Sequence, residues 1–241
     1  MQKYSKRQPR LACSTRGTSR QGVADRRSYK QFCGIARGLD LVGERWTILI
    51  VRDLLLGPQR FSDLQAGLPA LTPNLLTQRL QQMQQDGLIV RRQLPRPAHA
   101  MVYELTPVGR ALEPALLALG KWGMQFMAQP RPDEQLSARW ALFSLLRRFL
   151  DTSEPAAVAL RVRDATGEIR EFRIHVAPGQ RTVAEGLTGT ETVLATADDA
   201  PARMWAVGRA KSGALESAGQ FHIVGDRNAL RVVERAFGLR E

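Results

Sequence analysis

Apolar residues in the first half of the chain repeat at helical spacing. Ile35, Leu39 and Val42 fall at positions i, i+4 and i+7, which predicts a short amphipathic helix around them. Residues 44–56 are strongly apolar with only four charged side chains, so we expect a central and mostly buried helix there, ended by glycine and proline. A further short helix is predicted around Phe61-Ser62-Asp63-Leu64. The pattern therefore begins as a small helical domain.

The next predicted helix carries a polar face of unusual composition. Thr72 is a good N-cap, Pro73 suits the first helical position, and Gly87 provides a left-handed C-terminal cap. One face is apolar, while the other is polar but nearly uncharged, whereas a solvated surface helix normally shows Glu–Lys pairs. Such a face suits hydrogen bonds to base edges and phosphates, although a merely polar surface helix remains the alternative. Its members are Asn74, Thr77, Gln78, Gln81, Gln82 and Gln85, with Arg79 at the edge.

A basic β-hairpin follows this helix. Residues 88–94 and 101–105 read as two strands, and the six residues between them include two prolines. Arg91, Arg92 and Arg96 make the hairpin and its tip basic. Helices, a recognition-type helix and a basic hairpin, in this order, form the layout of a winged helix-turn-helix.

A long helix is predicted after the hairpin, from Thr106-Pro107 to about residue 127. Its apolar stripe would either mediate dimerisation or cover its own domain. The stripe consists of Leu112, Leu116, Leu119 and Gly123.

Positive charge is concentrated in the N-terminal half. The formal net charge is +12, and the first 30 residues contain nine Lys and Arg against one acid. Residues 129–241 are nearly balanced, with sixteen basic and fifteen acidic side chains. This asymmetry indicates a polyanionic partner for one half, nucleic acid most commonly or else a membrane surface. We expect residues 1–28 to form a disordered basic tail: a phosphate-binding arm, a solvated extension or a transit-like segment.

The composition and the motifs that are missing argue against several classes of protein. No run approaches the roughly 18 apolar residues of a membrane-spanning helix, and the first 30 residues hold no signal-peptide core. Two cysteines and three dispersed histidines argue against a disulfide framework and a metal site. Phosphate-loop, dinucleotide-binding and hydrolase motifs are missing, as is a carboxylate pair suited to acid–base catalysis. We therefore expect a cytoplasmic protein that is not an enzyme, with no cofactor, no metal and no stable membrane association.

A dense set of short motifs runs through residues 31–128. They are Cys33, Glu44-Arg45-Trp46-Thr47, Phe61-Ser62-Asp63-Leu64, Leu76-Thr77-Gln78-Arg79-Leu80, Gly87-Leu88, Tyr103-Glu104-Leu105-Thr106, Gly109 and Trp122. On these motifs the segment resembles the HxlR-type winged-helix transcriptional regulators, relatives of MarR proteins. It departs from them at Gly34, where the family usually has proline, and in a longer, proline-rich wing. The resemblance implies a homodimeric, sequence-specific regulator that binds double-stranded DNA, as a repressor or an activator; we expect a repressor.

The DNA-binding candidates lie on the polar helix and on the basic hairpin. The helix would enter the major groove, where its amides and hydroxyls would read base edges and Arg79 would contact a base or a phosphate. The arginines of the wing would grip phosphates or the minor groove. The candidates are Thr72, Asn74, Thr77, Gln78, Arg79, Gln81, Arg91, Arg92 and Arg96.

Cys33 is a candidate redox residue. It stands at the start of the first predicted helix, where the helix end and the nearby Lys30 and Arg37 could depress the pKa of its thiol. In the resembling family a cysteine here sometimes senses oxidants or electrophiles. The alternative is a small buried apolar residue.

The hydrophobic period changes from 3.6 to 2 in the second half of the chain. After an extended linker at residues 129–135, a helix is followed by strands around Leu160, Ile174 and Ala195, then by helices, another strand and a closing helix. The expected fold class is α+β: a winged helix-turn-helix domain at residues 29–128, and helices on an antiparallel sheet at residues 136–241.

The last part of the chain resembles the sterol-carrier (SCP2-like) fold. The resemblance rests on short motifs: Ala206-Val207-Gly208, Ala214-Leu215, Ser217-Ala218-Gly219, Ile223 and Gly225-Asp226. It implies an apolar cavity for a lipid-like or other hydrophobic small-molecule effector, and the alternative is a filled core that serves dimer contacts. The candidate pocket residues are Phe143, Leu146, Trp205, Leu215 and Phe221.

Two alternative functions of other classes stay open at this point. One is a lipid or acyl carrier whose basic half docks on anionic membranes. The other is an enzyme that uses the C-terminal cavity.

Overall fold

The computed structural model describes residues 28–96, 99–164 and 167–239. It divides into two compact units, residues 1–40 and 41–241. In the described part of the first unit, the Asp40 carboxylate accepts hydrogen bonds from the backbone N–H of Tyr29 (2.9 Å) and the hydroxyl of Ser28 (3.0 Å). The predicted basic tail of residues 1–28 lies outside the described residues, apart from Ser28.

Residues 41–126 form what we call the winged module. Leucines, isoleucines, Val51 and Met83 from its helices, both strands and the connections between them make one buried core. Gln59 forms an isolated antiparallel bridge to the hairpin, in which its backbone N–H and C=O both pair with Tyr103 (3.0 and 2.7 Å). The elements are α1 (Gly34–Val42, which begins in the first unit), α2 (Thr47–Leu55), α3 (Phe61–Gly67), α4 (Pro73–Gln85), β1 (Ile89–Gln93), β2 (Met101–Leu105), α5 (Pro107–Arg110), α6 (Glu113–Gly123) and a 3₁₀ turn (Met124–Phe126).

The single long helix expected after the hairpin is wrong, since α5 and α6 are separate. Pro114 has no N–H to donate to the carbonyl of Arg110, and its ring would clash with that carbonyl in a continuous helix. The chain therefore breaks after Arg110 and starts again at Glu113. The predicted stripe splits as well: Leu116 is buried in the core of the winged module, whereas Leu119 is half exposed.

The base of the wing is fixed by Thr106 and Gly109. The Thr106 hydroxyl accepts from the Gly109 N–H (3.1 Å) and donates to the Gly87 carbonyl (2.6 Å). A Cβ on Gly109 would stand 2.1 Å from the Leu88 carbonyl oxygen, so only glycine fits. Gly87 itself has φ +69°, the left-handed C-terminal cap that the sequence predicts for α4.

Residues 138–239 form what we call the C-terminal module, with helices on one face of a five-stranded sheet. The strand order is β5-β4-β3-β6-β7. The expected antiparallel sheet needs one correction: β3 and β6 are parallel, because the short connection after β5 crosses back to the far side of β3. The elements are α7 (Ala138–Arg148), β3 (Ala156–Arg163), β4 (Ile169–Ala177), β5 (Gln180–Glu185), β6 (Val193–Asp198), α8 (Asp199–Ala206), α9 (Ser212–Ser217), β7 (Phe221–Gly225) and α10 (Arg227–Ala236).

Polar side chains join the two modules within residues 41–241. Arg139 of α7 donates to the backbone carbonyl of Asp53 (2.6 Å) and to the carboxylate of Glu185 (2.5 Å). The indole N–H of Trp140 donates to the buried Asp53 carboxylate at 3.0 Å. Arg52 pairs with that carboxylate and lies 4.3 Å over the Trp140 ring. The end of α2 and the start of α7 are thus held by one hydrogen-bonded network.

Arg170 of β4 extends the contact to α3. Its guanidinium pairs with Asp63 (3.2 Å), Glu168 (3.1 Å) and Glu185 (3.4 Å). Burial alone would lower the pKa of Arg170, but the carboxylates of Glu185, Asp63 and Glu168 outweigh burial and raise it above its ordinary value. Arg170 therefore stays charged, and it ties the helix before α4 to the C-terminal sheet.

Apolar side chains cross the same boundary. Leu56, just after α2, belongs to the buried core of the C-terminal module, and Phe143 of α7 packs against both cores. The backbone N–H of Glu185 donates to the Leu56 carbonyl at 2.5 Å. The two modules therefore share both a polar network and packed hydrophobic surface.

In the described part of the chain, no helix has the length and apolar composition of a membrane span. The same residues contain no cluster of three metal-type side chains.

We expect Arg139→Met to destabilise residues 41–241 strongly. The change leaves a buried carbonyl and part of a carboxylate without their donor, at a cost of about 2–4 kcal/mol in the free energy of unfolding. The matched control is Arg161→Met, whose pair with Glu171 is more than a third exposed and should cost at most about 1 kcal/mol. Urea unfolding followed by tryptophan fluorescence measures both values. Equal losses in the two variants would refute the importance of the Arg139 network.

Candidate nucleic-acid interface

Helix α4 presents a continuous polar face to solvent. Leu76, Leu80 and Met83 are buried in the core of the winged module, which fixes the rotation of the helix about its axis. The opposite side is open along more than two turns. Its exposed members include four of the predicted base-reading residues: Asn74, Thr77, Gln78 and Gln81.

Most of this face keeps its hydrogen-bonding capacity free. The Thr77 hydroxyl donates to the Pro73 carbonyl (2.9 Å), and the Thr72 hydroxyl accepts from the Leu75 N–H (3.4 Å) as the N-cap. Among the described residues, the side-chain amides of Asn74, Gln78 and Gln81 have no hydrogen-bond partner. An exposed row of unpaired amides offers both donors and acceptors to a ligand, which is the pattern that reads base edges.

Arg79 differs from the other predicted residues on α4. Its guanidinium pairs with Glu44 at 3.1 Å, and only 17% of its side chain is exposed. Its Nε is buried without a hydrogen-bond partner. Arg79 would therefore have to leave Glu44 before it contacted DNA. Sequence reasoning missed Glu44, because it lies 35 positions earlier and no local pattern connects the two residues.

The arginines of the wing, the hairpin that follows α4 in the chain, are exposed to solvent. Arg91 and Arg96 are exposed, and Arg92 is exposed while pairing with Glu104 across the hairpin. Two of the remaining tip residues, 97 and 98, are outside the described residues. Arg91 and Arg96 thus keep their full positive charge available to a polyanion.

Helix α6 and the turn after it expose a second, apolar surface. Leu119 and Trp122 of α6 and Phe126 and Met127 after it are between 50% and 76% exposed. The rings of Trp122 and Phe126 pack edge to face with centroids 5.0 Å apart. A cluster of this kind on a soluble module typically marks a protein contact.

Cys33 is exposed, just before α1. The backbone N–H groups of Ala36 and, to a smaller extent, Ile35 interact with its sulfur and hold the pKa of the thiol below its ordinary value. The alternative of a buried apolar cysteine is therefore wrong for this structure. Exposure and a lowered pKa are the two properties that make a thiol reactive.

The candidate pocket residues lie mainly in the C-terminal core. Trp205, Leu215 and Phe221 are buried, and the Trp205 indole donates to the buried Glu234 carboxylate at 3.0 Å. Phe143 is half-buried and packs against the cores of both modules. Leu146 is buried in the C-terminal core and also lines a cleft of about 280 Å³. The described residues show a second cleft of about 290 Å³, lined by none of the five.

Known proteins resemble the winged module. The family model described as HxlR-like helix-turn-helix matches residues 41–131. The uncharacterized HTH-type transcriptional regulator YvaP of Bacillus subtilis is 36% identical over 91 residues, which are 38% of this chain and 84% of YvaP. The HTH-type transcriptional regulator YodB of the same organism is 33% identical over 86 residues, or 36% of this chain and 77% of YodB. The crystal structure of diamide-treated YodB shows 30% identity and a TM-score of 0.33, covering 40% of this chain and 96% of that chain.

Cys33 should react as a thiolate at a lower pH than an ordinary cysteine. We expect the rate of alkylation by iodoacetamide, in a Cys13→Ser variant, to reach its half-maximum at a lower pH in the folded chain than in urea. The sign follows from the pKa: hydrogen bonds to the charged form favour it, so the thiolate persists to lower pH. Identical profiles in the two states would contradict the role of the α1 N–H groups.

Proposed function

The chain belongs to the HxlR-like helix-turn-helix family of DNA-binding transcriptional regulators, and we propose that α4 reads its operator in the major groove. The observation that supports this is the exposed row of unpaired amides on α4. Asn74, Gln78 and Gln81 would bond to base edges, and Thr77 would add its hydroxyl. Thr72 at the helix start suits a phosphate contact. In this proposal Arg79 contacts DNA only after exchanging Glu44 for a base or a phosphate.

The wing supplies the contacts that do not depend on sequence. Arg91, Arg92 and Arg96 would bind phosphates or enter the minor groove beside α4. Because Arg92 is ion-paired with Glu104, it would contribute less to DNA affinity than Arg91. Affinity then comes mainly from the wing and specificity mainly from α4.

The regulator acts as a homodimer in this proposal. The apolar surface of α6, with Trp122 and Phe126, would pack against the same surface of a second copy around a two-fold axis. Two α4 helices would then face successive major grooves of one operator. A dimer that covers an operator within a promoter blocks transcription there, so we propose repression.

The C-terminal module is proposed to be SCP2-like and to hold an effector. The supporting observation is its five-stranded sheet with helices on one face. Residues 136–241 would sense a small molecule and bias the affinity of the dimer for DNA.

DNA binding tests the proposal through three single variants of the full chain. Gln78→Ala should cost about 1–3 kcal/mol on the specific operator and little on random duplex, because a base contact is lost. Arg91→Ala should weaken both duplexes alike and reduce the salt dependence by about one charge. The operator would be selected from random duplexes, and the affinities measured by fluorescence anisotropy at fixed salt.

The control for this experiment is Gln84→Ala, which removes an exposed amide from the last turn of the same helix. It should leave the operator affinity unchanged. A loss equal to that of Gln78→Ala, or no loss in either variant, would contradict base reading by the first turns of α4.

Trp122→Glu should convert the dimer into a monomer. A glutamate in an apolar interface loses its hydration, which is unfavourable. Across a two-fold axis it also lies near the same negative charge of the second copy. Sedimentation velocity measures the mass, and Val108→Glu, at another exposed apolar position, serves as the control. A wild-type chain that sediments as a monomer, or a Trp122→Glu variant that remains a dimer, would refute this interface.

A further inference from the structure

A cleft of about 280 Å³ lies where the two modules meet, and we call it the junction cleft. The winged module lines it with the end of α2 and the residues after it (Leu55–Pro58), Glu104, Arg110 and Glu113. The C-terminal module lines it with Leu146, Arg173 and strand β5. None of these residues belongs to the proposed DNA-binding surface. The junction cleft therefore has no role in the DNA contacts proposed so far.

The edge of strand β5 points free N–H groups into this cleft. The Gly186 N–H donates to the Glu171 carbonyl (2.7 Å), so even-numbered residues of β5 pair with β4 and odd-numbered ones face outward. Outward-facing Glu185 already donates to Leu56. Val183 and Arg181 come next along the edge, and within the described residues their backbone N–H groups meet no acceptor. Two unpaired donors on a strand edge beside a cleft can bond to water or to an acceptor on a ligand.

Three guanidinium groups add to this excess of donors. Arg110 donates to the Leu55 carbonyl (3.3 Å), Arg173 to the carbonyls of Glu185 and Gly186 (3.0 and 2.8 Å), and Arg181 to the Leu146 carbonyl (2.7 Å). A neutral carbonyl fixes the position of a guanidinium but does not compensate its charge. Each guanidinium also has five N–H donors, so several remain free.

The acids that line the junction cleft are already paired with arginines. Glu104 pairs with Arg92 outside the cleft, and Glu185 with Arg139 and Arg170 behind it. Glu113 pairs loosely with Arg181 at 3.5 Å. Arg110 and Arg173 are left without a carboxylate partner among the described residues. The lining thus contains two guanidinium groups without a carboxylate partner, beside an apolar wall formed by Leu55, Leu56, Pro58 and Leu146.

We propose that the junction cleft binds a small organic carboxylate with a short apolar body. The carboxylate would accept from the Val183 N–H and from Arg110 and Arg173, and the body would lie against the leucines. Such a ligand contacts both modules, so this inference rests on the proposed effector function and gives it a site and a ligand class. By linkage, a ligand that prefers one arrangement of the modules changes the affinity for DNA, and DNA changes the affinity for the ligand.

Hexanoate is the probe that tests this site, with hexanamide as its neutral counterpart. In a ¹⁵N TROSY titration of the full chain, the Val183 amide, which would donate to the carboxylate, should shift downfield and saturate with hexanoate, and the neighbouring Arg181 amide should shift with the same saturation. The eight heavy atoms of hexanoate should give a Kd of about 1 mM or tighter. Hexanamide should bind at least about tenfold more weakly, because it lacks the charge-assisted hydrogen bonds.

Two arginine variants locate the site, and a third provides the control. Arg110→Gln and Arg173→Gln should each weaken hexanoate binding about tenfold. Arg231→Gln, an exposed arginine of α10, should not affect it. Arg110 makes one long hydrogen bond, so its variant tests the site even if Arg173→Gln disturbs the fold.

Three outcomes would overturn the proposal: no saturable shift at Val183 and Arg181, equal binding of hexanamide, or unchanged binding in both Arg110→Gln and Arg173→Gln. Operator binding of the same samples is measured in parallel. If the wild-type chain binds its operator but shows no hexanoate site, this inference alone is refuted. If the wild-type chain binds no duplex DNA, the proposed function is refuted.

Discussion

The architecture of residues 41–241 depends on the buried polar contact between α2 and α7. The Asp53 carboxylate is almost fully buried, so it must be satisfied by Arg52 and Trp140, and Arg139 must find both the Asp53 carbonyl and Glu185. Buried charges tolerate few geometries, because a misplaced partner leaves a desolvated group unpaired. This requirement fixes where the C-terminal sheet stands against the winged module. Apolar packing around Leu56 then adds non-directional stabilisation to a position that the polar groups select.

The rest of the molecule follows from that contact. Arg170 joins the sheet to α3, and α3 packs with α4 in the core of the winged module, on the side of α4 opposite its exposed polar face. Among the described residues, the Asp53 carboxylate and the terminal nitrogens of Arg139 have protein partners at the module boundary, whereas the Arg139 Nε is buried without one. On α4, the side-chain amides of Asn74, Gln78 and Gln81 are exposed and have no partner within the described residues. The exposed amides of α4 and the open N–H groups of the cleft edge are thus available to the ligands proposed for them, whereas most buried side-chain polar groups of the described residues have protein partners.

Local signals in the sequence predict the winged module well. Thr72-Pro73 and Gly87 mark both ends of α4, and the apolar spacing within it assigns its buried and open faces correctly. Non-local features escape such reasoning. Strand β5 was not predicted, because its inward positions include Arg181 and Glu185, which are satisfied by a distant carbonyl and a distant arginine. The ion pair between Arg79 and Glu44 is not predictable from local sequence for the same reason, because Glu44 lies in the segment between α1 and α2.

Differential scanning calorimetry of the full chain tests the central claim, that the two modules form one cooperative body. A shared polar network and shared packing predict a single transition for residues 41–241, with equal calorimetric and van't Hoff enthalpies. Tryptophans on both sides of the boundary, Trp46 and Trp205, should report the same midpoint. Two separated transitions, one for each module, would contradict the account.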